Sequence, residues 1–532
     1  ARGGGAAQAG SNAIGGVVDL VPLQPGGPTR TRSHAGRGAH GTWEGSLART
    51  GSHAGFDYAL AYDGFHTDGD WTFERLPRRT GLGVVLPVPA TAERINNRSE
   101  RHATLATLGR SLGERVHLTV RDHLFYQSRG APGLDAGGTA DAGQRAEAHE
   151  RNLRHLGLVR LDAAELGGSP VGARLEVAHV WQRQRFRDPK PVDRLGRDID
   201  VDDRNATLTL RGGLDGSGNL GPVHQRLSTS LEHRRDEHHA SDVVDPHRNT
   251  VAWLVQDDVS LLDGRVRLVP ALRWERTDGF DDRWIPRAGL LLEPLPGIRL
   301  RANLERAWRA PSFDELYFPD QGFLRGNPGL RPEESTDGDV GVELAWDRLG
   351  FLRSMRFEAV WFRRDIDESI VWVLVSPTLV EPRNTGPATA SGWELTGSVR
   401  LFDWMELSAN HTRLDAELDT TGTPLPGRAD RETNVRVAVG PPSGAARVIL
   451  EMQDVSEIPV TPTAATRVPE RRTWDLSTWV DLAQLPGLGA RVPAQSLRLG
   501  FEVANLTDEL VRDAEYFPQP GRTWIVRLEG TW

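Results

Sequence analysis

Two stretches of this sequence concentrate side chains that can hold a metal ion. Leu231–Asp242 reads LEHRRDEHHASD and sets His233, His238 and His239 beside Asp236, Glu237 and Asp242. Imidazole with carboxylate is a donor set for a transition metal or a metal chelate. The spacing matches no closed zinc motif, and a solvated polar loop is the plainer reading of the same residues. Asp193–Asp203 reads DRLGRDIDVDD and gathers Asp193, Asp198, Asp200, Asp202 and Asp203. Clustered carboxylates suit Ca²⁺, which takes about 6–8 oxygen ligands. An EF-hand order is missing, so a charged loop competes with calcium here. Arg299, Arg301 and Arg400 form a third, cationic set. They either attract an anionic ligand or pair with Glu305, Glu394 and their neighbours.

Covalent catalysis finds no such foothold. No GxSxG, HExxH, phosphate-binding loop or GxGxxG occurs in the context each requires, so the expectation is a protein that is not an enzyme. The 532 residues include no cysteine, which removes disulfides and thiolate metal sites. The formal net charge is -9, against a nucleic-acid binder.

The elements that must carry these residues are strands. In RVRLVPALRWE, Val266, Leu268, Leu272 and Trp274 fall on one face, with Arg267, Arg273 and Glu275 on the other. IRLRANLERAW alternates Leu300, Ala302, Leu304 and Trp308 with Arg299, Arg301 and Glu305, and Arg306 breaks the apolar face. GWELTGSVRLF, SLRLGFEVANL and RTWIVRLEGTW repeat the pattern through Leu395, Leu499 and Val526. Many of these segments approach the 9–11 residues that a tilted membrane strand needs. One face is dense in Arg and Glu, strand after strand. A watery lumen accepts that face while lipid takes the apolar one, and the mean hydropathy of -0.45 follows. Trp274, Trp308, Trp346, Trp361 and Trp524 at strand ends read as interface anchors.

Connections alternate in length. Gly113–Arg115, Asp215–Asn219, Leu262–Arg265 and Pro294–Gly297 read as tight turns. Trp71–Glu100, Ala131–Glu147, Asp188–Asp203 and the proline-rich Ala310–Pro332 read as long loops. Short turns on one side and long loops on the other describe a bacterial outer-membrane barrel. The expected fold class is therefore all-β, a transmembrane antiparallel β-barrel of about 22 strands.

At this point the chain resembles the TonB-dependent outer-membrane receptors of the siderophore and cobalamin type. GSNAIGGVVDLVP, with Gly15 and Gly16, is similar to the end of the family's plug domain. WRAPSFDELYFPDQGFLRGNPGLRPEES carries Arg309, Pro311, Gly326, Asn327, Pro328, Pro332 and Glu333. The closing stretch ANLTDELVRDAEYFPQPGRTWIVRLEGTW includes Gly521 and Arg522 and ends on Trp532, where the family usually has Phe. The resemblance implies two parts: residues 1–22 as the C-terminal remnant of a plug, and residues 23–532 as the barrel. It implies residence in the outer membrane of a Gram-negative bacterium as a multi-pass barrel, inserted by the barrel assembly machinery among outer-membrane lipids. It also implies a small-molecule metal chelate or cobalamin as ligand, and a missing plug domain. A TonB-type energy transducer would engage a missing N-terminal segment. Residue 1 already sits in ARGGGAAQAG, which is not a signal peptide, so the sequence is expected to start inside the plug. The expected cofactor set is empty apart from calcium on external loops. Two other readings stay open: a passive outer-membrane pore, and a surface binding or adhesion protein acting through its external loops.

Overall fold

The computed structural model describes residues 21–75, 78–79, 85–86, 91–133, 146–189, 198–240, 246–318, 324–376, 379–460, 467–514 and 517–532. Gly15, Gly16, Asp193 and the proposed plug remnant up to residue 20 lie outside them.

Period-2 alternation becomes one closed antiparallel sheet. Its strands are β1 (Arg30–Gly38), β2 (Trp43–His53), β3 (Phe56–Thr67), β4 (Ser99–Ser111), β5 (Val116–Gly130) and β6 (His149–Ala163). Next come β7 (Val171–Asp188), β8 (Ile199–Leu220), β9 (Val223–Ala240), β10 (His247–Leu261), β11 (Val266–Thr277) and β12 (Arg283–Leu295). They are followed by β13 (Ile298–Arg309), β14 (Glu333–Leu349), β15 (Leu352–Asp367), β16 (Ala388–Leu401) and β17 (Met405–Leu418). The last are β18 (Arg431–Val439), β19 (Ala446–Val455), β20 (Arg471–Asp481), β21 (Ser496–Ala504) and β22 (Thr523–Thr531). The sheet has 23 members, because the two-residue segment Thr423–Pro424 also joins β17; the other 22 close the cylinder. Closure is β1 against β22, from Arg32 opposite Thr531 to Gly38 opposite Ile525. Trp532 completes the seam: its N–H donates to the Thr31 carbonyl at 2.9 Å and its carbonyl accepts from Thr31 N–H at 3.0 Å. A closed sheet leaves no unpaired edge, which lipid would penalise.

The faces follow the expected register. Leu268, Leu300, Leu395, Leu499 and Val526 are all exposed on the outer surface. Arg273 and Glu275 are buried on the inner one, where Arg273 bridges Glu275 at 2.7 Å and Glu232 at 3.1 Å. Trp284, Trp393 and Trp524 stand exposed on the outside, and at the short-turn end Phe402 lies 5.9 Å from Phe351 and 5.7 Å from Trp404. Such rings suit a membrane interface. Trp308 departs from that expectation. It is 2 % exposed, packed with Ile285, Ala310 and Phe280, because the β11–β12 turn brings Phe280 and Arg283 over its ring.

Most turns at one end are tight. Gly297 has φ 83°, and a Cβ there would lie 2.3 Å from the Ala345 carbonyl oxygen, so glycine is required. Two connections differ from the sequence reading: Asp188–Asp203 gives residues 199–203 to β8, and Asp215–Asn219 is not a turn. Asp215–Asn219 belongs to β8, whose turn comes at Gly221 instead. The connection from Leu482 to Gln495 is long yet sits at the short-turn end, folded into two 3₁₀ turns around the Asp481 carboxylate.

β7, β8 and β9 run for 18, 22 and 18 residues. At about 3.4 Å per residue, β8 alone spans roughly 70 Å, over twice a hydrocarbon core of about 30 Å. The barrel wall therefore rises well above the membrane at the long-loop end.

Candidate functional site at the loop-bearing mouth

The proline-rich segment after β13 is built around Arg309. Its guanidinium donates to both Glu315 oxygens, at 2.8 and 3.1 Å, and through Nε to Glu333 at 2.5 Å. A planar fork facing carboxylates is the strongest ordinary ion-pair geometry. Pro311 starts the turn into a short helix, α1 (Phe313–Tyr317). Ser312 and Glu315 cap it reciprocally, with Glu315 N–H donating to Ser312 Oγ at 3.1 Å and Ser312 N–H to the Glu315 carboxylate at 2.7 Å. Burial pushes the Glu315 carboxyl up, but the Arg309 and Ser312 hydrogen bonds outweigh it and hold the group below its ordinary value.

The return leg is clamped just as tightly. Gly326 N–H donates to the Phe318 carbonyl at 3.0 Å, and Asn327 N–H to the Glu315 carbonyl at 2.7 Å. A Cβ on Gly326 would fall 2.5 Å from Phe318 N and 2.8 Å from the Leu316 carbonyl carbon and oxygen, so the crossing admits glycine only. Asn327 donates from Nδ2 to the Pro382 carbonyl at 3.0 Å. Pro328 and Pro332 fix φ and remove two donors that no strand partner claims. The neighbouring hairpin, Ile370–Ser376 paired with Leu379–Asn384, receives this leg. Arg325 donates to Glu381 at 2.7 Å, and Asn384 donates to the Arg331 carbonyl at 3.0 Å. The Arg325 hydrogen bond, then that of Arg383, keeps the Glu381 carboxyl low.

On its other flank the loop leans on the tall wall. The Phe313 ring stacks on His238 with centroids 5.6 Å apart, while the Arg248 guanidinium lies 4.9 Å from the same ring. Arg248 also donates to the Pro311 carbonyl at 2.9 Å. The segment is thus a strap from the β9–β10 wall to the hairpin before β16. Sequence reading missed Phe313, Asp314, Arg248 and Asn384. The Ser312–Glu315 capping spacing was the one local signal available; the contacts of the others join residues far apart in the chain.

Alternation divides the histidine cluster. His238 points inward, 4 % exposed, with Nδ1 at 2.8 Å from Asn205 Oδ1 and 3.2 Å from Asp203 Oδ1. His233 and His239 fall on the opposite face; His233 pairs in register with Leu210, an exposed apolar residue. The aspartates divide likewise. Asp200 pairs with Arg185 at 2.7 Å and Asp202 with Arg183 at 2.6 Å and Arg204 at 3.1 Å, all on the outer face. Asp203 faces inward, and Asp198 precedes β8. Three ligating side chains do converge: Asp203, His238 and Asp314 of α1 bring donor atoms within 4.8 Å of one another.

The cationic set sits elsewhere. Arg299 and Arg400 lie beside short turns; Arg299 faces Glu293 at 3.5 Å and Glu343 at 3.6 Å, and Arg400 faces Glu406 at 3.8 Å. Arg301 bridges Glu358 and approaches Asp339 at 3.9 Å. Each is paired, and none shares the mouth with His238. Gly521 and Arg522 shape the last long loop. A Cβ on Gly521 would lie 2.4 Å from Asp508 Oδ1, the atom that accepts from Arg522 N–H at 2.7 Å.

Known proteins match this geometry. The model for TonB dependent receptor-like β-barrels matches residues 33–506. The ferric enterobactin receptor of Pseudomonas aeruginosa is 26 % identical over 180 residues, which is 30 % of this chain and 24 % of that protein. The vitamin B12 transporter BtuB of Vibrio vulnificus is 28 % identical over 108 residues, 20 % of this chain and 16 % of the transporter. These matched segments span about a quarter or less of the curated relatives. A crystal structure of the P. aeruginosa ferric enterobactin receptor superposes with a TM-score of 0.80 at 17 % identity, covering all of this chain and 84 % of that one. With the family model matched over most of its length, the chain belongs to the TonB-dependent receptor β-barrels, a family of outer-membrane receptors.

Proposed function

We propose that this barrel is an outer-membrane receptor and transporter of a Gram-negative bacterium for a scarce nutrient, a ferric siderophore or cobalamin. Its long loops face outward and its short turns face the periplasm. Energy comes through a TonB-type transducer when a full plug is present. One observation carries the reading: a 22-strand barrel, too wide to fill with its own side chains, has a mouth organised by a built strap. Arg309, Glu315 and Glu333 fix that strap, which sets Phe313 against His238 and Arg248 of the wall and Phe318 against Trp372 of the neighbouring hairpin. Aromatic and cationic side chains suit a bulky, anionic or ring-bearing chelate. Relatives named for ferric enterobactin, hemin and vitamin B12 support the ligand class.

The test is uptake of iron-loaded siderophores and cobalamin by cells lacking their own receptors. They would express this barrel joined to a complete plug, with and without the transducer. Transducer-dependent accumulation of one such ligand is expected. Ion conduction in planar bilayers without binding of any chelate would overturn the reading in favour of a passive pore.

A further inference from the structure

We propose that Asp203, His238 and Asp314 form a resident site for one divalent first-row transition ion that clasps the proline-rich strap to the barrel wall. This inference stands apart from the transport reading, because the ion is held by the protein and needs no chelate. The three residues come from different places in the chain: the top of β8, the top of β9 and helix α1 of the strap. Their donor atoms nevertheless lie within 4.8 Å of one another.

The donor chemistry selects the ion. One imidazole with two carboxylates suits Zn²⁺, Co²⁺ or Ni²⁺, and Ca²⁺ prefers oxygen alone. The supporting shell is in place. His238 is 4 % exposed, and its ring is held by Phe313 on one side and by Asn205 Oδ1 at 2.8 Å. A fixed imidazole loses little freedom on binding. Asp314 is exposed on α1, so the site opens toward the mouth. Asp203 and Asp314 are like charges held side by side, and a cation between them converts repulsion into attraction.

The purified full chain, stripped with chelator in detergent micelles, would be titrated with Zn²⁺ and Co²⁺ by calorimetry. Expected is one ion per chain. His238→Ala and Asp314→Asn should each weaken binding at least tenfold, and His233→Ala and His239→Ala should change it less than twofold. Zn²⁺ should also slow tryptic cleavage after Arg325 in the wild type but not in Asp314→Asn. Should His238→Ala fail to form a heat-resistant barrel, Asp314→Asn decides, since it lies on an exposed turn. Absence of stoichiometric binding, binding unchanged by Asp314→Asn, loss in His233→Ala, or preference for Ca²⁺ over Zn²⁺ would each overturn the proposal.

Discussion

The same outward row of β8 passes through two environments. Leu210 and Leu208, in the lower wall, are exposed and apolar. Arg204, Asp202 and Asp200, higher on the same face, form an ion-pair ladder with Arg183 and Arg185 of β7. The backbone is continuous and the ladder register unbroken. Only the medium outside changes, from hydrocarbon to water. Side-chain polarity on this face therefore reports the solvent and not the fold. The long strands make both zones from one element.

The largest effect expected from this contrast is in the lipid zone. Leu499→Arg places a charge on the lipid face, costing about 2–4 kcal/mol near the midplane and less toward an interface. Gly500→Arg should be markedly milder, because a Cβ there meets ordinary contacts at 3.7 and 3.8 Å and points to the lumen. Denaturant titrations of both variants in lipid vesicles check this; equal costs would mean that the register has slipped by one residue.

Next comes the strap. Gly326→Ala forces backbone apart, at about 1–3 kcal/mol as for other overpacked sites. Arg309→Met, which strands Glu315 and Glu333, should cost a similar amount. Both should speed proteolysis within the strap while the heat-resistant barrel persists. A barrel that fails to fold in either variant would mean that the strap is part of the wall's stability.

A smaller effect depends on pH. Glu315 and Glu381 sit below their ordinary value of 4.5 in the folded loop. Groups held low contribute stability that is complete above the unfolded value and lost as pH falls through the folded one. Strap protection should then be flat above about pH 5 and decline below about pH 4.5. An Arg309→Met, Arg325→Met double variant should flatten that decline. The smallest effect is in the water zone: Asp202→Ala removes two surface ion pairs, to Arg183 and Arg204, worth about 0–1 kcal/mol each. Thermal unfolding should barely move, and a large loss would place that rung in lipid after all.

The barrel was legible in the chain because each strand writes its two environments in alternating positions, and this needs no knowledge of partners. Leu268 against Arg267, or Leu499 against Gly500, fixed face and register locally. The even strand number and the alternation of turns and loops followed from the same rhythm. Motif residues such as Arg309, Gly326 and Asn327 were recognisable as loop architecture, although their partners, Glu315, Phe318 and Pro382, were not. The candidate site resisted for a related reason. Alternation sends neighbours to opposite faces, so the compact clusters around His238 and Asp202 had to split when the strands extended to Ala240 and Ile199. What then meets His238 is decided by register between β8 and β9, and by the path of a loop about 75 residues further on. No local pattern encodes that meeting. It exists only once the sheet has closed and the strap has been pinned between Arg248 and Glu381.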